Sequence, residues 1–99
     1  LPKKHPVLMH CFSGSAETAA RLLKRNTWFS FSPLLLREGS LSMRRAFASL
    51  PADRLLLESD SHVSVSLEPL YGYAALQLRE EISQVFSLIR NNLYSFLNA

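Results

Sequence analysis

Three short apolar segments alternate with two stretches of helical periodicity, and this order restricts the fold more than any other feature of the sequence. The predicted strands lie near residues 7–12, 27–32 and 54–59, and the predicted helices between them lie near residues 15–26 and 41–50. Strands joined by helical connections of this length pair in parallel through right-handed crossovers. The sequence therefore predicts an α/β fold with three parallel strands and covering helices.

The C-terminal third is predicted to be helical and to add no further strand. Residues 63–72 contain a proline and a glycine and are interpreted as a loop. Residues 73–98 contain neither residue type and carry apolar side chains at helical spacing, so they form either one long amphipathic helix or two helices that meet near Asn91. Residues 34–36, which lie between a proline and a glycine, are also interpreted as a loop.

Three parallel strands are few for an independent sheet, because parallel strands are normally buried on both faces. With 99 residues the chain is far shorter than a TIM barrel, which takes about 250 residues. We therefore expect a piece of a larger sheet or barrel rather than a very small α/β domain. The first residue is Leu1 and not methionine, which suggests that an N-terminal part is missing.

Charge and cysteine content exclude few partners. Eleven Lys and Arg residues against eight Asp and Glu give a net charge of +3, spread in small groups. This balance permits an anionic partner without requiring one. Cys11 is the single cysteine and cannot form an intrachain disulfide, so a cytoplasmic or nuclear location is expected. The sequence lacks a run of about 18 apolar residues that would predict a membrane span.

Two polar residues follow predicted strands at the edge where parallel α/β proteins place their reactive groups. His10 lies near the end of the first strand, and Asp60 lies just past the end of the third. Because side chains alternate along a strand, Glu58 would share a face with Asp60. Imidazole and carboxylate groups bind Zn²⁺, Mn²⁺ and similar ions, although two ligands do not complete a site. The alternative is that His10 is hydrogen-bonded inside the fold and Asp60 caps a turn.

A cysteine before a Gly/Ser turn is also found in cysteine-dependent phosphatases, which need an arginine six positions later. Here that position is Glu17, and its carboxylate would repel a phosphate dianion. Cys11 is therefore predicted to be a small core residue whose side chain alternates away from His10. Residues 13–15 match no common phosphate-binding spacing. The aromatic residues of the second strand are predicted to be core rather than to stack on bases.

Two segments resemble motifs of the TatD-related metal-dependent hydrolases. Residues 10–15, His-Cys-Phe-Ser-Gly-Ser, resemble the family's HCFSG motif, and residues 55–61, Leu-Leu-Leu-Glu-Ser-Asp-Ser, resemble its LLxETDSP motif. The length of the interval between the two motifs also fits the family pattern, and so does the sequence of residues 49–54. Residues 91–96 resemble the family's terminal helix, which contains an asparagine. The likeness is good over residues 6–62.

The resemblance implies the last three β/α units of a TIM barrel and a hydrolase that uses divalent metal ions (Zn, Mg or Mn), with DNA as the substrate of the whole enzyme. By position, His10 matches the last metal-binding histidine of the family and Asp60 matches the aspartate after the final strand. Both are thus implied metal ligands, and Asp60 is also the implied catalytic base. Glu58 is expected to face the inside of the barrel and to support the ligands rather than to bind the metal.

The chain departs from the family pattern in ways that bear on activity. No His-x-His occurs in the sequence, and His62 stands where the family usually has proline or alanine. The chain by itself is therefore expected to be inactive. Two alternatives stay open: a non-catalytic truncated paralogue that acts as an interaction module through its exposed strand edges, and a metallohydrolase whose substrate is not a nucleic acid.

Overall fold

The computed structural model describes residues 5–59 and 67–99, which form a three-stranded sheet with four α-helices. In chain order the elements are β1 (Val7–Met9), α1 (Ala16–Leu23), β2 (Thr27–Phe31), α2 (Leu41–Ser49), β3 (Leu55–Leu57), α3 (Glu68–Leu78) and α4 (Ile82–Leu97). Two 3₁₀ turns, Pro33–Leu36 and Ala52–Arg54, precede α2 and β3.

The sheet has the order β1-β2-β3, and both neighbouring pairs are parallel. Met9 lies opposite Phe29, and Phe29 lies opposite Leu55, so the carboxyl ends of all three strands meet at one edge. The predicted α/β class with three parallel strands is therefore confirmed.

The outer strands are shorter than the sequence pattern indicates, and the reason is local. β1 stops at Met9 because Cys11 adopts a left-handed backbone conformation with φ of 50°, which breaks the extended chain. β3 begins at Leu55 because the 3₁₀ turn Ala52–Arg54 occupies the residues before it. A hydrophobic run indicates which residues are buried, but it does not indicate where the backbone dihedral angles change and the strand ends.

One side of the sheet, the core face, is aromatic and tightly packed. Phe29 and Phe31 are fully buried and meet the ring of Phe12 edge-on, with centroids 5.1 and 6.0 Å apart. Phe31 also contacts Phe47 of α2. The Thr27 hydroxyl donates to a carbonyl of α1 at 2.6 Å. The core face thus consists of Thr27, Phe29, Phe31, Leu55 and Leu57, covered by α1 and α2.

The opposite side, the site face, carries the residues that alternate with these. Ser30 and Leu56 are paired in its centre, and α4 packs across it. Trp28 is buried there, as predicted for core, between the ring of Phe96 and the guanidinium of Arg54, which lies 3.9 Å from the indole centroid. The site face comprises Leu8, His10, Trp28, Ser30, Leu56 and Glu58.

Asn92 fixes α4 to the start of β3. Its side chain is buried, and its amide nitrogen donates to the carbonyls of Ala52 and Leu55, both at 2.8 Å. One side chain thus donates to the Leu55 carbonyl and adds a second donor to the Ala52 carbonyl, which also accepts the Leu55 N–H. The asparagine of the terminal helix therefore has a structural role in this chain.

The helix predicted near residues 73–98 is in fact two helices, and the break is not near Asn91. α3 begins at Glu68, inside the stretch interpreted as a loop, because a proline is tolerated in the first turn of a helix. It ends where Arg79 adopts φ of 56°, and α4 starts at Ile82. Likewise, residues 34–36 form part of a 3₁₀ turn rather than an irregular loop.

No helix within the described residues is long and apolar enough to cross a membrane.

Candidate metal centre

The candidate site lies at the carboxyl edge of the sheet, where the ends of β1 and β3 flank the end of β2. The Phe12 N–H donates to the Ser30 carbonyl at 2.7 Å, and the Glu58 N–H donates to the Phe31 carbonyl at 3.0 Å. These bonds extend the pairing just beyond each outer strand. They hold His10, Cys11 and Glu58 at the same level of the sheet.

The carboxylate of Glu58 reaches across the end of β2 and joins the two outer strands. Its Oε2 lies 2.8 Å from Nδ1 of His10. Its Oε1 accepts the Cys11 backbone N–H at 3.0 Å and the Cys11 thiol at 2.8 Å. Ser30, the β2 residue that pairs with Leu56, has a small side chain and lines the same cleft as Glu58.

The position of Cys11 corrects the sequence interpretation. Strict alternation would turn its side chain away from His10 and into the core. The left-handed conformation at Cys11 abolishes that alternation, so its thiol and the His10 imidazole both meet Glu58. Cys11 is half-buried and lies beside the fully packed core, not in it.

His10 and Glu58 differ in their exposure to solvent. The His10 side chain is 71% exposed, whereas that of Glu58 is 20% exposed. The carboxylate is therefore held at the base of the site by three donors, and the imidazole is accessible to an incoming ion or substrate. Polar contacts in such a partly desolvated position are stronger than those on an open surface.

A shallow cleft continues from this edge along the site face, below α4. It encloses about 420 Å³ and is bordered by Glu58, Tyr71, Phe86 and Arg90, with Ser30 in its floor. The Ser30 hydroxyl is buried and has no hydrogen-bond partner among the described residues. Burial raises the pKa of Tyr71 above its usual value.

Three donor atoms of this site could hold a metal ion. A nitrogen of His10, the sulfur of Cys11 and a carboxylate oxygen of Glu58 all lie within 4.8 Å of one another. Nitrogen, sulfur and oxygen donors are the ligand types that zinc and related divalent ions use. The types of donor are therefore compatible with a divalent cation at this edge of the sheet.

Of the two residues singled out as metal ligands, only His10 can be placed. Asp60 lies outside the described residues, as does His62, so their predicted roles stay predictions. Glu58 is predicted to face inward and to support the ligands, and its carboxylate contacts both His10 and Cys11. Sequence reasoning missed the contact of Cys11 with Glu58, and no periodic pattern signals a left-handed residue after a strand.

The sequence matches the family described as TatD related DNase over residues 1–86. This chain belongs to that family. The matched region contains both motifs and the whole candidate site. The predicted recognition as a TatD-related protein is thus confirmed.

Two curated relatives match about half of the chain. It is 38% identical over 53 residues to the uncharacterized metal-dependent hydrolase YabD of Bacillus subtilis, a match that covers 54% of this chain and 21% of that protein. It is 39% identical over 54 residues to the uncharacterized metal-dependent hydrolase YcfH of Escherichia coli K12, covering 54% of this chain and 20% of that protein. The matched part of the chain spans about a fifth of the length of these relatives.

Proposed function

We propose that this TatD-family chain supplies part of the active site of a divalent-metal-dependent hydrolase that cleaves phosphodiester bonds, with DNA as its substrate. In this proposal residues 1–99 form the last three β/α units of a barrel, and His10 and Asp60 bind metal. The observation that carries the proposal is the Glu58 bridge, which brings the end of β3 within 2.8 Å of the His10 imidazole. The names of both relatives, as metal-dependent hydrolases, support the same chemistry.

The resemblance to the family's motifs gives each residue a role in this proposal. His10 is exposed at the carboxyl edge of the sheet and offers an imidazole nitrogen to the cation. Asp60 comes two residues after Glu58 and binds the same cation, and it also takes the proton of the attacking water as general base. A bound divalent ion would polarise the phosphoryl oxygen and lower the pKa of a coordinated water.

A double-mutant cycle on the purified chain tests the shared cation. Zn²⁺ affinity is measured by calorimetry for the native chain, for His10→Ala, for Asp60→Ala and for the double variant. If both side chains bind one ion, each single change lowers the affinity and the second adds little, since neighbours that share a partner are not additive. Additive losses, or none, would contradict the proposal. His5→Ala, at the opposite end of β1, is the matched control.

The nuclease part of the proposal has its own experiment. We expect no EDTA-sensitive DNA cleavage by the 99-residue chain, because His10 and Asp60, the two ligands of this proposal, are fewer than the three protein ligands of a catalytic zinc site. In a longer protein that carries this segment, Asp60→Asn should lower kcat/KM for DNA roughly 10²–10⁴-fold, the range for loss of a general base. Comparing DNA with an activated phosphodiester in that protein separates a nuclease from a hydrolase of other substrates.

One feature of α4 favours a second candidate function, a non-catalytic interaction module. Four large apolar side chains lie on one exposed stripe of this helix: Ile82, Phe86, Leu93 and Leu97. In the described residues β1 and β3 each pair on one side only, and such edges invite pairing with other chains. Light scattering decides: a concentration-dependent dimer or larger species supports this function, and a monodisperse monomer counts against it.

A further inference from the structure

The hydrogen bonds of Glu58 define which nitrogen of His10 is available to a ligand. An ionised carboxylate can only accept hydrogen bonds. The contact of 2.8 Å between Oε2 and Nδ1 therefore requires a proton on Nδ1. In a neutral imidazole the other nitrogen, Nε2, then carries the free electron pair.

The second oxygen of Glu58 is held independently of His10. The Cys11 backbone N–H and the Cys11 thiol both donate to Oε1, at 3.0 and 2.8 Å. With Oε1 fixed by two donors from one residue, the carboxylate cannot rotate freely, and Oε2 stays directed at Nδ1. Cys11 thus acts on His10 through the Glu58 carboxylate, although Cys11 and His10 are adjacent in the sequence.

We propose that Cys11 and Glu58 are positioning residues, which lock His10 in the Nδ1–H tautomer and leave Nε2 as the atom that binds the divalent cation. This inference deepens the proposed function by naming the ligand atom and the two residues that fix it. Metal-binding histidines commonly donate their second ring N–H to a carboxylate, which sets the tautomer and the ring orientation.

Direct ligation by all three residues is the rival arrangement, and the distances disfavour it. Zinc bonds of about 2.0–2.1 Å to nitrogen or oxygen and about 2.3 Å to sulfur place tetrahedral ligand atoms roughly 3.3–3.5 Å apart. The Oε1–Sγ and Oε2–Nδ1 separations are both 2.8 Å, which are the separations of hydrogen-bonded pairs. A single ion between these atoms would have to push the carboxylate away from both partners.

The tautomer can be measured by nitrogen-detected NMR of the histidine rings in the metal-free chain. We expect His10 to show a protonated Nδ1 and an unprotonated Nε2. The exposed His5 is the internal reference and should show the Nε2–H form that predominates in an unrestrained imidazole. Glu58→Ala should convert His10 to that form. A native His10 already in the Nε2–H form would overturn the inference.

The part played by Cys11 is tested by a pair of variants. Cys11→Ala removes the thiol donor and should shift part of the His10 population to the Nε2–H tautomer. Cys11→Ser keeps a donor at the same place and should restore the native population. Equal populations in the native chain and in Cys11→Ala would remove Cys11 from the inference. Circular dichroism of each variant verifies that the fold is retained.

Metal binding supplies the second readout. Glu58→Ala should weaken Zn²⁺ binding about 10–100-fold, the usual cost of losing a residue that orients a ligand, and Cys11→Ser should leave it near native. With Co²⁺ in place of zinc, we expect no thiolate-to-cobalt charge-transfer band. Such a band, lost in Cys11→Ser, would show direct ligation and overturn the inference. If His10→Ala left the Zn²⁺ affinity unchanged, the proposal that His10 binds the metal would be wrong. The tautomer measurement would still decide whether Cys11 and Glu58 orient the His10 ring.

Discussion

The two faces of the sheet use the same three strands for different purposes. The core face has aromatic side chains that contact α1, α2 and one another, and its members are 0–9% exposed. The site face has a buried hydroxyl, a carboxylate held by three donors, an exposed imidazole and a cleft under α4. The core face therefore consists mainly of tightly packed apolar side chains, while the site face keeps polar groups that a purely structural sheet would replace with hydrocarbon.

The largest expected effect is the loss of a core-face ring. Phe29→Ala should lower the free energy of unfolding by about 3–5 kcal/mol, because the ring is fully buried and its removal leaves a cavity. Phe86→Ala is the matched change on α4, where the ring is half-exposed and stacks on Tyr71, and it should cost about 1 kcal/mol. Urea unfolding measures the loss in the free energy of unfolding for each variant. Equal losses would contradict the claim that the core face is the more tightly packed of the two.

Next in size is the link between α4 and β3. Asn92→Ala should destabilise the chain by about 2 kcal/mol, since the buried Leu55 carbonyl loses the Asn92 donor and the Ala52 carbonyl keeps only the Leu55 N–H. Asn91→Ala, the adjacent and exposed asparagine, should change stability by less than about 0.5 kcal/mol. If the two variants unfold alike, α4 is not fixed to the sheet through Asn92.

A glycine next to the site tests how closely the core face is packed. A Cβ at Gly14 would come within 2.8 Å of the Phe12 ring, which is itself packed on Phe29 and Phe31. We expect Gly14→Ala to cost about 1–2 kcal/mol. Gly72→Ala has open space around it inside α3 and should stabilise the chain by about 0.5–1 kcal/mol. A stabilising Gly14→Ala, seen in thermal unfolding, would show that the Phe12 ring moves freely.

On the site face we expect a substitution that increases stability rather than lowering it. Ser30→Ala should stabilise the chain by about 1 kcal/mol, because it removes a buried hydroxyl that is unsatisfied among the described residues. Chemical denaturation of Ser30→Ala and of the core-face variant Thr27→Ala makes the comparison, since the Thr27 hydroxyl is hydrogen-bonded and its loss should destabilise. A destabilised Ser30→Ala would mean that Ser30 has a partner in the folded chain.

The smallest effect is on the pH dependence of stability. Burial raises the pKa of Tyr71 and of Tyr73 above 10.0, and for Tyr73 the nearby Arg44 partly offsets the shift. The folded state therefore holds these protons more tightly than the unfolded state, so their contribution is present below pH 10 and is lost as the pH rises through the folded pKa values. The midpoint of thermal unfolding should fall between pH 9 and pH 11. This fall should be smaller in Tyr71→Phe. An unchanged slope in that variant would exclude Tyr71.

Much of the fold could be predicted because it follows from periodicity. The order of strands and helices, the parallel pairing, the Ser15 cap of α1 and the burial of Trp28 all rest on spacing and residue type. The ends of elements could not be predicted, since they depend on single backbone conformations. Arg79 ends α3 in a left-handed conformation that glycine usually adopts, and nothing in its residue type indicates this.

The candidate site shows the same division. His10 could be identified because it lies near the end of the first predicted strand, and alternation along the third strand predicts that Glu58 shares a face with Asp60. The hydrogen bonds from Cys11 were not predicted, because they depend on the left-handed turn that follows β1. Residue spacing thus located the edge of the sheet where chemistry is expected. It did not show which donors meet there.

The most direct test of the central claim is where a paramagnetic ion binds. Titrating Mn²⁺ into the ¹⁵N-labelled chain should broaden the amide signals of residues 10–12 and 58–60 before any others, and His10→Ala or Asp60→Ala should abolish that selectivity. Such a result would show that the ends of the first and third strands hold one cation. Broadening first at surface carboxylates remote from this edge, or unchanged in both variants, would contradict the account.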